Sequence, residues 1–188
     1  MKEAIGNLLS VKEGIIVHGC NAQGVMGSGV AAAVRAAYPG AYEVYRAAHQ
    51  RRRQAGQSLE MGSVVWFTAS RSPKLAIANA ITQEFFGRDP AVRYVDYDAV
   101  RMAFRRVAAV AREHGLAVHY PQIGAGLGNG DWSILSGIIA TELGDVPHTL
   151  WTLPAPQVNG AVLNPRATKD ADASPREPGA ASRRSGRG

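Results

Sequence analysis

Residues 14–38 read GIIVHGCNAQGVMGSGVAAAVRAAY, and how this stretch is read decides the fold. Ile15-Ile16-Val17 is a short apolar run that suits a buried strand. The run ends in His18-Gly19-Cys20-Asn21, and a glycine-rich turn, Gly24-Val25-Met26-Gly27-Ser28-Gly29, follows. Val30 to Ala37 is alanine-rich and favours helix. Strand, glycine loop and helix in this order can cradle a phosphate. Glycines let the backbone come close to a ligand, and free N–H groups at a helix start point at an anion. The spacing is not that of a P-loop, and no acidic ribose ligand stands at the dinucleotide-fold distance. A tight strand-to-helix turn that needs glycine only for geometry is the competing reading.

A second stretch of the same kind bears on that choice. Val118-His119-Tyr120 reads as a short strand, and Pro121-Gln122-Ile123-Gly124-Ala125-Gly126-Leu127-Gly128-Asn129-Gly130-Asp131-Trp132 follows it. Ser133 to Leu143 then reads as helix. In a parallel sheet both loops fall at the carboxyl ends of strands, where they can face each other across one cleft.

The remaining segments fill in an alternating α/β pattern. Lys2–Ile5 is predicted as a first strand and Ala41–Gln54 as a helix. Val64–Thr68 and Leu75–Ile81 are predicted as strands joined by a hairpin turn. Thr82 to Tyr94 is a polar loop. Asp96 or Asp98 can cap a helix that runs to His114, with Val100, Phe104, Val107, Ala108 and Ala111 as its apolar stripe and Gly115 at its end. Ile134, Leu135, Ile138, Ile139 and Leu143 are the predicted buried face of the next helix, and His148–Leu153 is a last strand. From Ala155 the composition turns to proline, glycine, serine, alanine and arginine. That is the signature of a disordered tail, either inert or a weak tether to a polyanion.

Composition limits the function classes. The chain has 188 residues, 46% of them hydrophobic, and a net charge of +6. This is enough for one domain with a full core. Residues 1–164 hold 15 Lys and Arg against 12 Asp and Glu, so half of the excess charge lies in the tail. The main body is therefore only mildly basic, which fits a small anionic ligand without requiring nucleic acid. There is no apolar run of membrane-spanning length and no secretory leader, and the lone Cys20 rules out an internal disulfide framework. The expectation is a cytoplasmic monomer without a metal or cofactor.

The strings His18-Gly19-Cys20-Asn21-Ala22-Gln23-Gly24-Val25-Met26-Gly27-Ser28-Gly29-Val30-Ala31 and Pro121-Gln122-Ile123-Gly124-Ala125-Gly126-Leu127-Gly128 resemble the macrodomain family of ADP-ribose-binding modules. Within it, the branch resembled holds ADP-ribose-1''-phosphate phosphatases and ADP-ribosyl-glutamate hydrolases. The resemblance covers roughly residues 1–154 and implies a three-layer α/β/α sandwich with a mixed central sheet. It also implies a ligand, ADP-ribose or ADP-ribose 1''-phosphate. Asn7, with Leu8 beside it, would face the adenine, and Asn21 the distal ribose. Gly24, Val25, Met26, Gly27, Ser28 and Gly29 would surround the diphosphate from one side. Gln122, Gly124, Ala125, Gly126, Leu127, Gly128 and Asn129 would do so from the other. The Thr82–Tyr94 loop would border the distal ribose.

His18 is the only histidine beside a glycine loop, in the H-x-C-N string of the phosphatase-like members. It is the candidate general acid or base. Asp131 is the candidate partner base, and is also a good helix N-cap. Cys20 reads as a small buried hydrophobe. The glutamate-deADP-ribosylating members use a lysine after an N-x-I-T string and an aspartate after the Gly-Leu of the second loop. Here Gln83 and Gly128 stand in those places, which makes glycohydrolase activity the least favoured reading. Phosphatase action on ADP-ribose 1''-phosphate leads, and a non-catalytic reader or sequestering module is the alternative.

Overall fold

The computed structural model describes residues 1–154 and, beyond them, the strand residues 157–158 and 161–162. In chain order the elements are β1 (Lys2–Ile5), a single 3-10 turn (Leu8–Ser10), β2 (Gly14–Asn21), α1 (Gly29–Ala37), α2 (Pro39–Gln54), β3 (Val64–Arg71) and β4 (Lys74–Gln83). They continue with α3 (Tyr97–His114), β5 (Val118–Tyr120), α4 (Trp132–Leu143) and β6 (His148–Thr152). A second unit contains the two-residue strands β7 (Gln157–Val158) and β8 (Ala161–Val162), paired antiparallel. The rest of the expected disordered tail lies outside the described residues.

The sheet order is β1-β6-β5-β2-β4-β3. Every neighbouring pair is parallel except β3 with β4, so the sheet is mixed. β2 is nearly continuous in apolar residues because it is buried on both faces. Ile15 and Val17 face one side with Ala78 and Ala80 of β4, against Phe104 and Val107 of α3 and Leu135 and Ile139 of α4. Ile16 faces the other side with Ile77, against Val34 of α1 and Ala41 of α2. The side-chain period of two sends alternate residues into two cores. This is the expected three-layer α/β/α sandwich.

The predicted stripe of α3 is buried as expected, and Asp96 caps the helix by accepting the Ala99 N–H at 2.8 Å. Gly115 closes it in the left-handed region, φ 63°. α4 departs from its expected face at one residue. Leu135, Ile138, Ile139 and Leu143 are buried, but Ile134 is 46% exposed. Ile134 stands about 100° around the helix from Leu135, on the solvent side of the arc the other four occupy.

The topology also positions the site. After β2 the chain crosses by α1 and α2 toward β3 and β4; after β5 it crosses by α4 toward β6. β2 and β5 are neighbours, and their crossovers leave in opposite directions over opposite faces. A crevice opens at their carboxyl ends, the usual ligand position in open α/β sheets.

Phe104 is fully buried and meets Tyr120 edge-on, with ring centroids 5.5 Å apart. Phe104→Ala should therefore destabilise the protein by about 3–5 kcal/mol, read as a lower midpoint in urea denaturation.

Candidate functional site

The first wall of the crevice is the loop after β2. Its shape is set by Asn21, whose side-chain oxygen accepts the N–H groups of Gln23 at 3.0 Å and Val25 at 3.3 Å. The Asn21 amide nitrogen donates to the Val25 carbonyl at 2.7 Å. Tyr45 of α2 donates its hydroxyl to Asn21 Oδ1 and the Asn21 carbonyl, at 2.9 and 2.7 Å. Burial pushes the Tyr45 hydroxyl far above its ordinary pKa, so it stays a donor. Gly24 has φ 75°, and a Cβ there would lie 2.6 Å from the His49 ring. Only glycine satisfies both conditions. Ser28 is extended and makes no capping bond with its side chain. Among the described residues the N–H groups of Gly27, Ser28, Gly29, Val30 and Ala31 have no acceptor. They are the open N-terminus of α1 and the residues leading into it.

The second wall is the loop after β5. Gly124 has φ 77°, and Val95 would stand 2.6 Å from an added Cβ. The Gly128 carbonyl accepts the N–H groups of Tyr94 and Val95 at 2.9 and 3.0 Å. Asn129 sits in the left-handed region, φ 53°, and its amide nitrogen donates to the carbonyls of Asp89 at 2.8 Å and Val92 at 2.7 Å. These bonds staple the loop to the β4–α3 connection. The N–H groups of Gly126, Leu127 and Gly128 have no acceptor among the described residues. Gly126 is not in the left-handed region, and an added Cβ there meets nothing within 4 Å. Its glycine gives room rather than a special φ.

Between the walls lies a cavity of about 580 Å³, a size typical of small-molecule sites. Of the residues expected to bind ligand, Asn21, Val25, Gly27, Ser28, Gly29, Gln122, Gly124, Gly126, Leu127 and Gly128 line it. Gly24, Met26, Ala125 and Asn129 do not. Gly24 and Asn129 shape the loops, and Met26 is buried in a small core with Tyr45 and Ile81. Asn7 and Leu8 also stand off the cavity. Asn7 caps the 3-10 turn by accepting the Leu9 N–H at 2.9 Å, and Leu8 packs against Ile16 and Val34. Gly19, Cys20, Pro121 and Ile123 form the floor and were not among the expected site residues; the third wall, Thr82, Gln83, Phe86, Gly87 and Arg88, belongs to the loop expected to border the distal ribose. The signal for the third wall was the polar loop beginning at Thr82. The parallel register Asn21↔Gln83 brings it beside the first glycine loop.

Both candidate catalytic residues stand off the cavity. His18 is fully buried on the α2 side of the sheet and does not line the cavity. The Asn79 amide nitrogen donates to the carbonyls of Ala41 and Val65 at 3.1 and 3.0 Å, so Asn79 Oδ1 is an acceptor. His18 Nε2–H donates to it at 2.7 Å, which fixes the neutral tautomer. Burial lowers the His18 pKa to about 4. His18 shares a face of β2 with Cys20 but lies one step deeper along the strand, in the layer beneath α2 where Asn79 bonds the Ala41 carbonyl. Asp131 is the N-cap of α4, where its Oδ1 accepts the Ser133 N–H at 2.8 Å and the Ser133 hydroxyl at 2.7 Å. Those bonds hold its carboxyl below the usual range, and it too stands off the cavity. Cys20 is buried as expected, with its thiol pushed well above the ordinary value by burial. Its side is that of the cavity floor, 3.7 Å from His18 Nδ1. Among the described residues no cluster of His, Cys, Asp or Glu could hold a metal ion, and no helix is long and apolar enough to cross a membrane.

Two glycine loops, with N–H groups that have no acceptor among the described residues, line one cavity at the switch point of a mixed sheet in an α/β module. The chain belongs to the Macro domain family, whose sequence model matches residues 17–139. It is 30% identical over 129 residues to an uncharacterized 17.5 kDa protein of the tk-vs intergenic region of Enterobacteria phage T4, covering 67% of this chain and 77% of that protein. A macrodomain protein from Streptomyces coelicolor superposes with a TM-score of 0.65 at 31% identity, over 80% of this chain and 97% of that one. The Thermosipho africanus DarTG structure, in complex with ADP-ribose, shares the fold with a TM-score of 0.64 at 20% identity, over 81% of this chain and 42% of that one.

The buried His18 makes stability depend on pH. Its pKa is about 4 in the folded chain against 6.5 ordinarily. Between these values the unfolded chain binds the proton and the folded chain does not. Stability is thus retained above pH 6.5 and lost as pH falls toward 4, by on the order of 3 kcal/mol for this group. His18→Gln should remove that share of the loss. The check is urea denaturation of both proteins from pH 7.5 to 4.5, where the variant's curve should be the flatter.

Proposed function

We propose that this macrodomain binds ADP-ribose or a derivative of it, with the diphosphate held between the two glycine loops. The observation that carries this reading is the pair of facing N–H rows, Gly27 to Ala31 and Gly126 to Gly128. Backbone donors and a helix N-terminus match a diphosphate without any lysine. The DarTG neighbour, which shares the fold, was solved with that ligand. Adenine would extend toward Asn7 at the end of β1, and the distal ribose toward Thr82 and Gln83 at the end of β4. Asn21 would act on the ligand mainly by holding the loop, since its amide is already engaged there.

Within this reading we favour binding over turnover. Among the described residues, the side chains lining the cavity include no Asp, Glu, His or Lys, so no conventional acid or base is among them. Phosphate release from ADP-ribose 1''-phosphate is the second reading, supported by the H-x-C-N string at His18 to Asn21. It would rely on loop N–H groups and bound water rather than on His18 or Asp131. A phosphate-release assay separates the two: binding without release above buffer leaves a reader or sequestering module.

Gly126→Val tests the cradle itself. The folded backbone accommodates the side chain, since nothing lies within 4 Å of the added Cβ, yet the valine would occupy space over free N–H groups. Calorimetry should show ADP-ribose binding reduced by at least about a hundredfold, a change of ~2.7 kcal/mol. The melting temperature should stay close to that of the wild type. Wild-type affinity in this variant would remove the diphosphate from the second loop.

A further inference from the structure

The cavity carries one charged side chain among its described lining residues, Arg88. It takes part in none of the ion pairs found among the described residues. Those pairs engage Arg101, Arg105, Arg106 and Arg112 of α3 with Asp98, Glu142, Glu60 and Asp145. Its chain neighbour Asp89 turns its carboxylate to the Ala91 N–H at 2.9 Å.

The backbone that carries Arg88 is fixed to both glycine loops. The Ala22 N–H donates to the Gln83 carbonyl at 2.9 Å, and the Gln23 side chain donates to the Glu84 carbonyl at 3.2 Å. On the far side, Asn129 donates to the Asp89 and Val92 carbonyls. The Gly87 backbone lies close against the Tyr94 hydroxyl, which an added Cβ there would meet. Arg88 thus stands on a pinned segment at the cavity edge, beside the half-exposed ring of Phe86.

Arg88 stands on the connection that starts at the end of β4 beside the first loop, through the Gln83 and Glu84 carbonyls, and is bonded to the second loop at Asp89 and Val92. On the reading above, this connection borders the distal ribose. The diphosphate already has backbone donors on both sides, so a further full positive charge answers a further negative group.

On the ADP-ribose reading above, we propose that Arg88 is a specificity-determining residue that selects a ligand bearing phosphate on the distal ribose. The planar guanidinium matches a phosphate with two parallel N–H donors, and a partly apolar surround keeps water from weakening the pair.

The test is calorimetry with ADP-ribose and ADP-ribose 1''-phosphate on the wild type, Arg88→Gln and Arg88→Lys. The wild type should bind the phosphorylated ligand about tenfold more tightly than ADP-ribose, in keeping with one charge-assisted pair. Arg88→Gln should bring the two affinities to within about threefold, chiefly by weakening the phosphorylated ligand, and Arg88→Lys should keep part of the preference. The proposal is overturned if the wild type binds both ligands alike, or if Arg88→Gln weakens both equally, which would place Arg88 on the diphosphate. Binding of neither ligand to the wild type would remove the ADP-ribose reading, and this proposal with it.

Discussion

Eight backbone N–H groups on residues that line one cavity, without an acceptor among the described residues, are a standing cost in a folded chain. Native proteins rarely leave such donors unpaired unless water or a ligand meets them. The rest of the site is arranged to keep them that way. Asn21 and Tyr45 tie the first loop from beneath, and Asn129 ties the second to the β4–α3 connection. Polar side chains that a sequence reading assigns to the ligand are thus used to hold backbone in place.

The same division explains where the titratable groups went. His18 lies next to Gly19 and in contact with Cys20 of the cavity floor, yet it is covered by the layer beneath α2. There it joins β2 to β4 through Asn79, and Asn79 in turn reaches α2 and β3. A buried polar network of this kind is tolerated because each member has a partner. Asp131 closes the start of α4 and supports the second loop from behind, with its own N–H given to the Tyr97 hydroxyl at 2.9 Å. Both groups stand off the cavity, whose described lining carries Arg88 as its one charged side chain.

The β4–α3 connection turns two facing loops into an enclosed site. It contributes Thr82 and Gln83 at the strand end and Phe86 to Arg88 along the rim. Its position follows from hydrogen bonds to both glycine loops, so the three segments form a single framework. A change in any one of them would be felt by the other two.

Much of this was legible in the amino-acid sequence. The apolar run Ile15 to Val17, the glycine loops, the stripe of α3 and the caps at Asp96 and Gly115 are local patterns, set by residue spacing and backbone preference. They suffice for the α/β class and for a site at the two loops. The sequence could not say how deep along β2 the cavity reaches. Cys20 shares a face with His18 and lines the floor, whereas His18, two residues earlier, is covered by Asn79 and α2. Nor could the sequence show that Asn129 is engaged by backbone carbonyls, or that Arg88 lines the cavity. Those facts rest on pairings between residues some forty positions or more apart, such as Asn129 with Asp89 and Ala22 with Gln83. Such pairings exist only once the sheet order has brought the carboxyl ends of β2, β4 and β5 together.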